Sequence, residues 1–139
     1  MKQEYFNLLI NTKGQKLYEF TGKITDWIKK NNLMNGILNL SILHTSASLI
    51  VQENADPDVQ TDLINYFDKL APMDSSLYIH TVEGKDDMPA HIKSSLTNNQ
   101  ISLSVKDGVV LLGAWQGLYL FEHRLNPQSR KIIFHFLGT

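Results

Sequence analysis

Apolar residues alternate weakly from Tyr5 to Ile10 and stop at Asn11-Thr12-Lys13-Gly14, a turn-forming run. Lys16 to Phe20 then resumes an extended pattern, and the pair predicts a β-hairpin. Ile24, Trp27 and Ile28 recur at helical spacing between a capping Thr21 and Asn35-Gly36, which predicts a helix over about 22–32. Ile37 to Val51 is rich in Ile, Leu, Val, Ser and Thr and predicts a buried strand, in two segments bent near Ser46. Leu38, Leu40, Ile42 and His44 share one face of it.

Asp56-Pro57-Asp58 is a helix start: an aspartate accepts from free amides, proline is preset for the first helical position, and a second carboxylate meets the positive end of the dipole. Val59, Leu63, Tyr66 or Phe67, and Leu70 form its apolar stripe until Pro72. Leu77 to Val82 reads as a strand, and Asp86-Asp87-Met88-Pro89 opens a short helix to about Leu96, followed by a turn at Asn98-Asn99. Four antiparallel strands are predicted in the last third, at Ile101–Val105, Val109–Leu112, Leu118–Arg124 and Lys131–Leu137. Their turns fall at Lys106-Asp107-Gly108 and Asn126-Pro127. The class is α+β with two to three helices, not a doubly wound sheet.

With 139 residues, 42% of them hydrophobic, and no Pro, Gly or Ser tract, residues 1–139 read as a single domain. Thirteen Lys and Arg against fourteen Asp and Glu leave a net charge of −1, with no basic block to neutralise phosphates, so nucleic acid is not an expected partner. No apolar run approaches the roughly 18 residues of a membrane span, and Met1 to Ile10 lacks a secretory pattern; the expectation is a cytoplasmic protein without a membrane partner. There is no cysteine, which leaves His, carboxylate and carbonyl groups as the available metal ligands.

Those groups gather in three segments. His44-Thr45-Ser46 with Glu53-Asn54 and Asp56-Pro57-Asp58 sets an imidazole and oxygen ligands around a strand-to-helix junction, although a helix cap and a solvated acidic loop are the better account of the two aspartates alone. His80 to Lys93 holds two His, three carboxylates (Glu83, Asp86 and Asp87) and two Lys within fourteen residues. Asp87 and His91 are four apart and meet on one helix face, while a capping role for Asp87 is also consistent with Pro89. In the third, Gly113-Ala114-Trp115-Gln116-Gly117 precedes Glu122-His123-Arg124, where strand alternation sends Glu122 and Arg124 one way and His123 the other. Trp115 also reads as core, Arg124 as half of a buried ion pair, and His135 between two Phe as structural.

In order along the chain, His44-Thr45-Ser46-Ala47-Ser48-Leu49, Glu53 to Val59, Asp86 to Leu96, Leu112 to Gly117 and Glu122-His123-Arg124 resemble the YjbQ family. The resemblance runs from about residue 37 to the C-terminus. It departs from the family's usual pattern at Ala114 (commonly Thr), Ser104 (commonly Pro) and Asn98 (commonly Gly). It implies a β-sandwich-like α+β subunit with antiparallel sheets, a homotrimer, and secondary thiamine-phosphate synthase activity. That reaction joins a pyrimidine diphosphate to a thiazole phosphate and releases pyrophosphate, so a small phosphorylated ligand is expected.

Three functions follow: that transferase with Mg²⁺ on carboxylates, a Zn²⁺-dependent hydrolase drawing on the imidazoles, and a noncatalytic small-ligand module. The candidate catalytic residues are His44, His91 and Glu122, with Glu83 an alternative base. Ser46, Asn54, Asp58, Lys93, Trp115 and Arg124 are candidates for substrate contact, and His44, His80, His91 and His123 for a divalent metal.

Overall fold

The structure is a computed structural model and describes all 139 residues. Its elements are β1 (Lys2–Thr12), β2 (Lys16–Glu19), α1 (Thr21–Lys30), β3 (Gly36–Ile42), β4 (Ala47–Glu53), α2 (Pro57–Leu70), α3 (Asp87–Leu96), β5 (Gln100–Lys106), β6 (Val109–Val110), β7 (Gln116–Glu122) and β8 (Gln128–Gly138). The strands form two antiparallel sheets, ordered β1-β8-β3-β5-β6 and β2-β7-β4. The α+β class with sandwich-like antiparallel sheets and three packed helices is as expected.

The main core lies where the sheets face each other. Leu38, Leu40, Phe134 and Phe136 of the larger sheet meet Leu49, Leu118 and Leu120 of the smaller one, and all are fully buried. Ile24, Trp27 and Ile28 of α1 join this core, with the Trp27 ring edge-on to Phe134 at 5.6 Å. Burying side chains of this size stabilises by roughly 1.5–3 kcal/mol each before chain entropy is counted. A second cluster of Leu17, Tyr119 and Phe121 covers the other face of the smaller sheet and receives Leu63 and Phe67 from α2.

The start of α2 is as the sequence reads: Asp56 accepts from the Asp58 amide at 2.9 Å and Pro57 is the first helical residue. Its buried stripe is narrower than expected, because Tyr66 and Leu70 stand in solvent. The two segments expected between Ile37 and Val51 divide at residues 43–46, beside the bend expected near Ser46, and β3 and β4 go to different sheets. Asp107 and Gly108, both at positive φ, form the two-residue turn joining β5 to β6.

Two expectations are corrected. The β1–β2 hairpin does not pair: β1 runs its whole length against β8, while β2 joins β7 in the other sheet. Eleven pairs with β8 outweigh the four that a short β2 could offer. Leu77–Val82 is not a strand. Asp74 takes the Ser76 amide to start a 3₁₀ turn at Ser75–Leu77, and the rest is loop with Ile79 and Val82 almost fully exposed. An apolar alternation without a partner edge has no ladder to enter.

Candidate metal centre

The loop after the 3₁₀ turn brings His80 over the first turn of α3. There His80 Nε2 lies 2.7 Å from Asp87 Oδ2, and His91 Nε2, one turn further along α3, lies 3.2 Å from the same oxygen. The two imidazole nitrogens and the carboxylate oxygen are within 4.8 Å of one another. Asp87 is buried, while the His80 and His91 side chains keep 46% and 32% of their exposure, so the centre opens on one side to solvent.

His91 and Asp87 are held from behind. His91 Nδ1 lies 2.9 Å from the Thr45 carbonyl, an atom that only accepts, so Nδ1 carries the proton. Arg124 donates from Nη1 to Asp87 Oδ1 at 2.6 Å, from Nε to Asp86 Oδ2 at 2.9 Å, and from Nη2 to the Glu83 carbonyl at 2.9 Å. The Leu125 amide donates to the same Asp86 oxygen at 2.9 Å. Neither aspartate caps α3, since Asp86 makes no capping bond and the Asp87 carboxylate is spent on His80, His91 and Arg124. Gly84 carries the turn at φ +110, where a Cβ would stand 2.9 Å from the Asp86 carboxylate.

Burial alone would raise the Asp87 carboxyl, but its bonds to His80 and His91 and the Arg124 charge outweigh it and hold it below the ordinary range. Asp86 behaves alike, with the Leu125 amide and Arg124 overcoming desolvation. Burial would lower Arg124, yet Asp86 and Asp87 raise it. Two carboxylates therefore stay ionised beside the imidazoles.

The donor set fits a divalent cation. A tetrahedral Zn²⁺ with bonds of about 2.0–2.1 Å holds its ligand atoms about 3.4 Å apart; the His91–Asp87 separation is 3.2 Å, and the 2.7 Å His80–Asp87 contact would open to admit the ion, a movement the exposed loop carrying His80 allows. The Thr45 carbonyl and Arg124 are the outer partners that fix ligand orientation in such centres.

The other candidate residues lie elsewhere. His44 is half-buried in the 43–46 loop and accepts the Lys131 amide at Nε2, 2.9 Å away. Burial, then Arg130, lowers its pKa. It lines a cavity of about 160 Å³ with Thr45, Ser94, Ser95 and Asn99. His123 is fully buried, with Nε2 2.9 Å from Ser48 Oγ, and burial followed by Lys93 and Arg130 lowers its pKa to about 3. Lys93 is also fully buried, 2.6 Å from Asp68.

Glu122 sits between the sheets, accepting from Thr12, from both Nε and Nη2 of Arg130, and from the amides of His123 and Arg124. Taking those two amides ends β7, so the expected alternation through Arg124 does not hold: Glu122 and His123 are both interior, and Arg124 turns to α3. Ser46 accepts a bond from Arg130 at 3.0 Å. Asn54, Asp58 and Trp115 are exposed at the far ends of β4 and β7, with the Asn54 amide on the Trp115 carbonyl. Seven residues of strand, about 20 Å at ~3.3 Å each, separate Trp115 from the Arg124 end.

Sequence reasoning missed Asp87 as the central ligand, although its spacing to His91 signalled a shared helix face. It also missed Arg130, for which isolated position in β8 gave no cue, and the Thr45 carbonyl, which no side-chain pattern reveals.

The profile of the family described as UPF0047 protein YjbQ-like matches residues 6–139. The chain belongs to this family. Among YjbQ-like relatives, UPF0047 protein sll1880 of Synechocystis is 46% identical over 131 residues, covering 94% of this chain and 89% of that one. YjbQ of Salmonella typhimurium is 42% identical over 132 residues, covering 94% and 95%. Two crystal structures share the fold. A conserved hypothetical protein of Thermus thermophilus has a TM-score of 0.85 at 31% identity, covering 95% of this chain and 99% of its own. A protein of the yjbq/upf0047 family from Clostridium acetobutylicum has a TM-score of 0.86 at 28% identity, with the same coverage.

Proposed function

We propose that this protein is a divalent-metal-dependent enzyme whose centre is His80, Asp87 and His91, and that it activates water for hydrolysis. The observation that carries this reading is the orientation of His91. With Nδ1 on the Thr45 carbonyl, His91 Nε2 points at the Asp87 carboxylate 3.2 Å away, and His80 Nε2 reaches the same oxygen at 2.7 Å. Two imidazole nitrogens and a carboxylate oxygen aimed at one another are a donor set that would hold a divalent cation.

A Zn²⁺-class ion bound there supplies Lewis acidity and lowers the pKa of water at its open position. Asp87 contributes one oxygen and keeps the other on Arg124, so it cannot rotate away. Thr45 and Asp87 together fix the plane of His91. His80 comes from the loop and is the most exposed of the three. Glu83, exposed on the same loop, is the base this reading favours, because both Glu122 oxygens are engaged in the interior.

The thiamine-phosphate synthase reading rests on the family resemblance and uses the same centre to neutralise a diphosphate. Arg124 and Lys93, the cations assigned to assist it, are already paired with carboxylates, which weighs toward hydrolysis. A homotrimer remains part of the proposal on the same resemblance. The deciding experiment compares zinc-loaded protein with the His91→Ala variant on phosphate-ester and amide substrates and on the two thiamine precursors. Metal-dependent hydrolysis lost in the variant supports the centre and the reaction class. Pyrophosphate release without hydrolysis would reassign the centre to the transferase.

A further inference from the structure

The unpaired hairpin leaves a feature that the metal centre does not use. β1 and β2 follow each other after only Lys13-Gly14-Gln15, a spacing at which strands ordinarily pair. Here no backbone hydrogen bond joins them. β1 is the outermost strand of one sheet and β2 of the other, so each has an edge without a strand partner. Between them lies a groove of about 540 Å³ with walls from Leu8–Asn11 and Lys16–Phe20, closed by Gln60 and Tyr119. It lies along β2, at the edge of the smaller sheet opposite β4, whereas α3 packs beside β4.

Backbone edges of this kind are usually blunted by proline or charge. β1 has no proline over eleven residues and exposes Tyr5 and Leu9. The rim of the groove is basic. Lys16 and Lys23 line it, Lys13 lines a second hollow that shares Asn11, Lys16 and Tyr18 with it, and none of the three ammonium groups has a carboxylate within 4.0 Å. Glu19, the acid in the groove, accepts a bond from Thr21 at 2.9 Å.

We propose that this splayed hairpin is a docking slot for an extended acidic peptide segment of a partner protein. Such a segment adds as a strand between the two edges, its amides and carbonyls taking the unpaired backbone groups. Alternate apolar side chains pack on the exposed Leu9 and the half-buried Tyr18, and acidic ones reach Lys16 and Lys23. The walls are four and five residues long, about 13–17 Å at ~3.3 Å per residue, which sets a segment of comparable length.

The test is a titration of isotope-labelled protein with two capped hexapeptides, one alternating Val and Glu and the other alternating Val and Lys. Saturable amide shifts at residues 8–11 and 16–19 with the acidic peptide are expected, with binding at least about tenfold tighter than for the basic one. The double variant Lys16→Glu/Lys23→Glu inverts this preference while its melting midpoint stays within a degree or so. Equal binding of both peptides, shifts confined to other regions, or no saturation below about 1 mM overturns the proposal. So does protection of the 8–11 amides that appears in peptide-free protein only at concentrations where it self-associates, since the slot then belongs to a second copy.

Discussion

His91 joins the Thr45 carbonyl to the Asp87 carboxylate through its two ring nitrogens. Its Nδ1–H is committed to the Thr45 carbonyl at 2.9 Å, and its Nε2 stands 3.2 Å from Asp87 Oδ2. On titration with Zn²⁺, the ¹⁵N signals of His80 and His91 Nε2 are expected to move together while His91 Nδ1 keeps its proton. Movement of Nδ1 instead would mean that the ring flips on binding and that Thr45 does not orient it.

Arg124 acts on the centre without contributing a ligand. Its fork joins Asp86, Asp87 and the Glu83 carbonyl, linking the end of β7 to the loop and to α3. Arg124→Gln is expected to weaken Zn²⁺ affinity about 10–100-fold. Arg124→Lys recovers little, because one ammonium cannot serve two carboxylates in the geometry of a fork. Competition with a chelating dye measures both.

The Arg130–Glu122 pair is interior, with side chains 5% and 0% exposed. Arg130→Met strands the Glu122 charge and is expected to cost about 3–5 kcal/mol in urea unfolding. Arg130→Met/Glu122→Leu recovers most of that loss by removing both charges. Zinc affinity stays unchanged in the double variant, which separates this pair from the metal centre.

His123 makes stability depend on pH. Its folded pKa of about 3 lies below the unfolded value near 6.5, so the unfolded chain binds a proton that the native protein does not. Stability on this account is intact above pH 6.5 and falls as pH drops toward 3. Between pH 6.5 and pH 5 the loss amounts to about 2 kcal/mol. His123→Gln is expected to flatten the change over that interval, and equal slopes for variant and wild type would remove His123 as its source.

Helix starts were legible because their chemistry is local: Asp56 caps its own amide beside Pro57, and Pro89 presets the backbone in the first turn of α3. The alternation of β3, β5 and β8 was equally plain, since each buries one face. The β1–β2 hairpin was misread because local spacing says nothing of a competing strand more than a hundred residues away. The site was half legible. Composition flagged His80 and His91, and a spacing of four joined Asp87 to His91, but the Thr45 carbonyl and the Arg124 fork arise only from tertiary contact. His44 and His123 carried the same residue type, and burial with Lys131 and Ser48 as partners sets them apart from the cluster.

The most direct measurement is the metal content of tag-free protein purified without chelator, beside His91→Ala and His123→Gln variants verified as folded by their melting curves. Stoichiometric zinc or a similar divalent ion in wild type and His123→Gln, and its loss from His91→Ala, is the expected result. Well-folded wild type that holds no metal and does not melt higher with added Zn²⁺ would contradict a His80–Asp87–His91 centre.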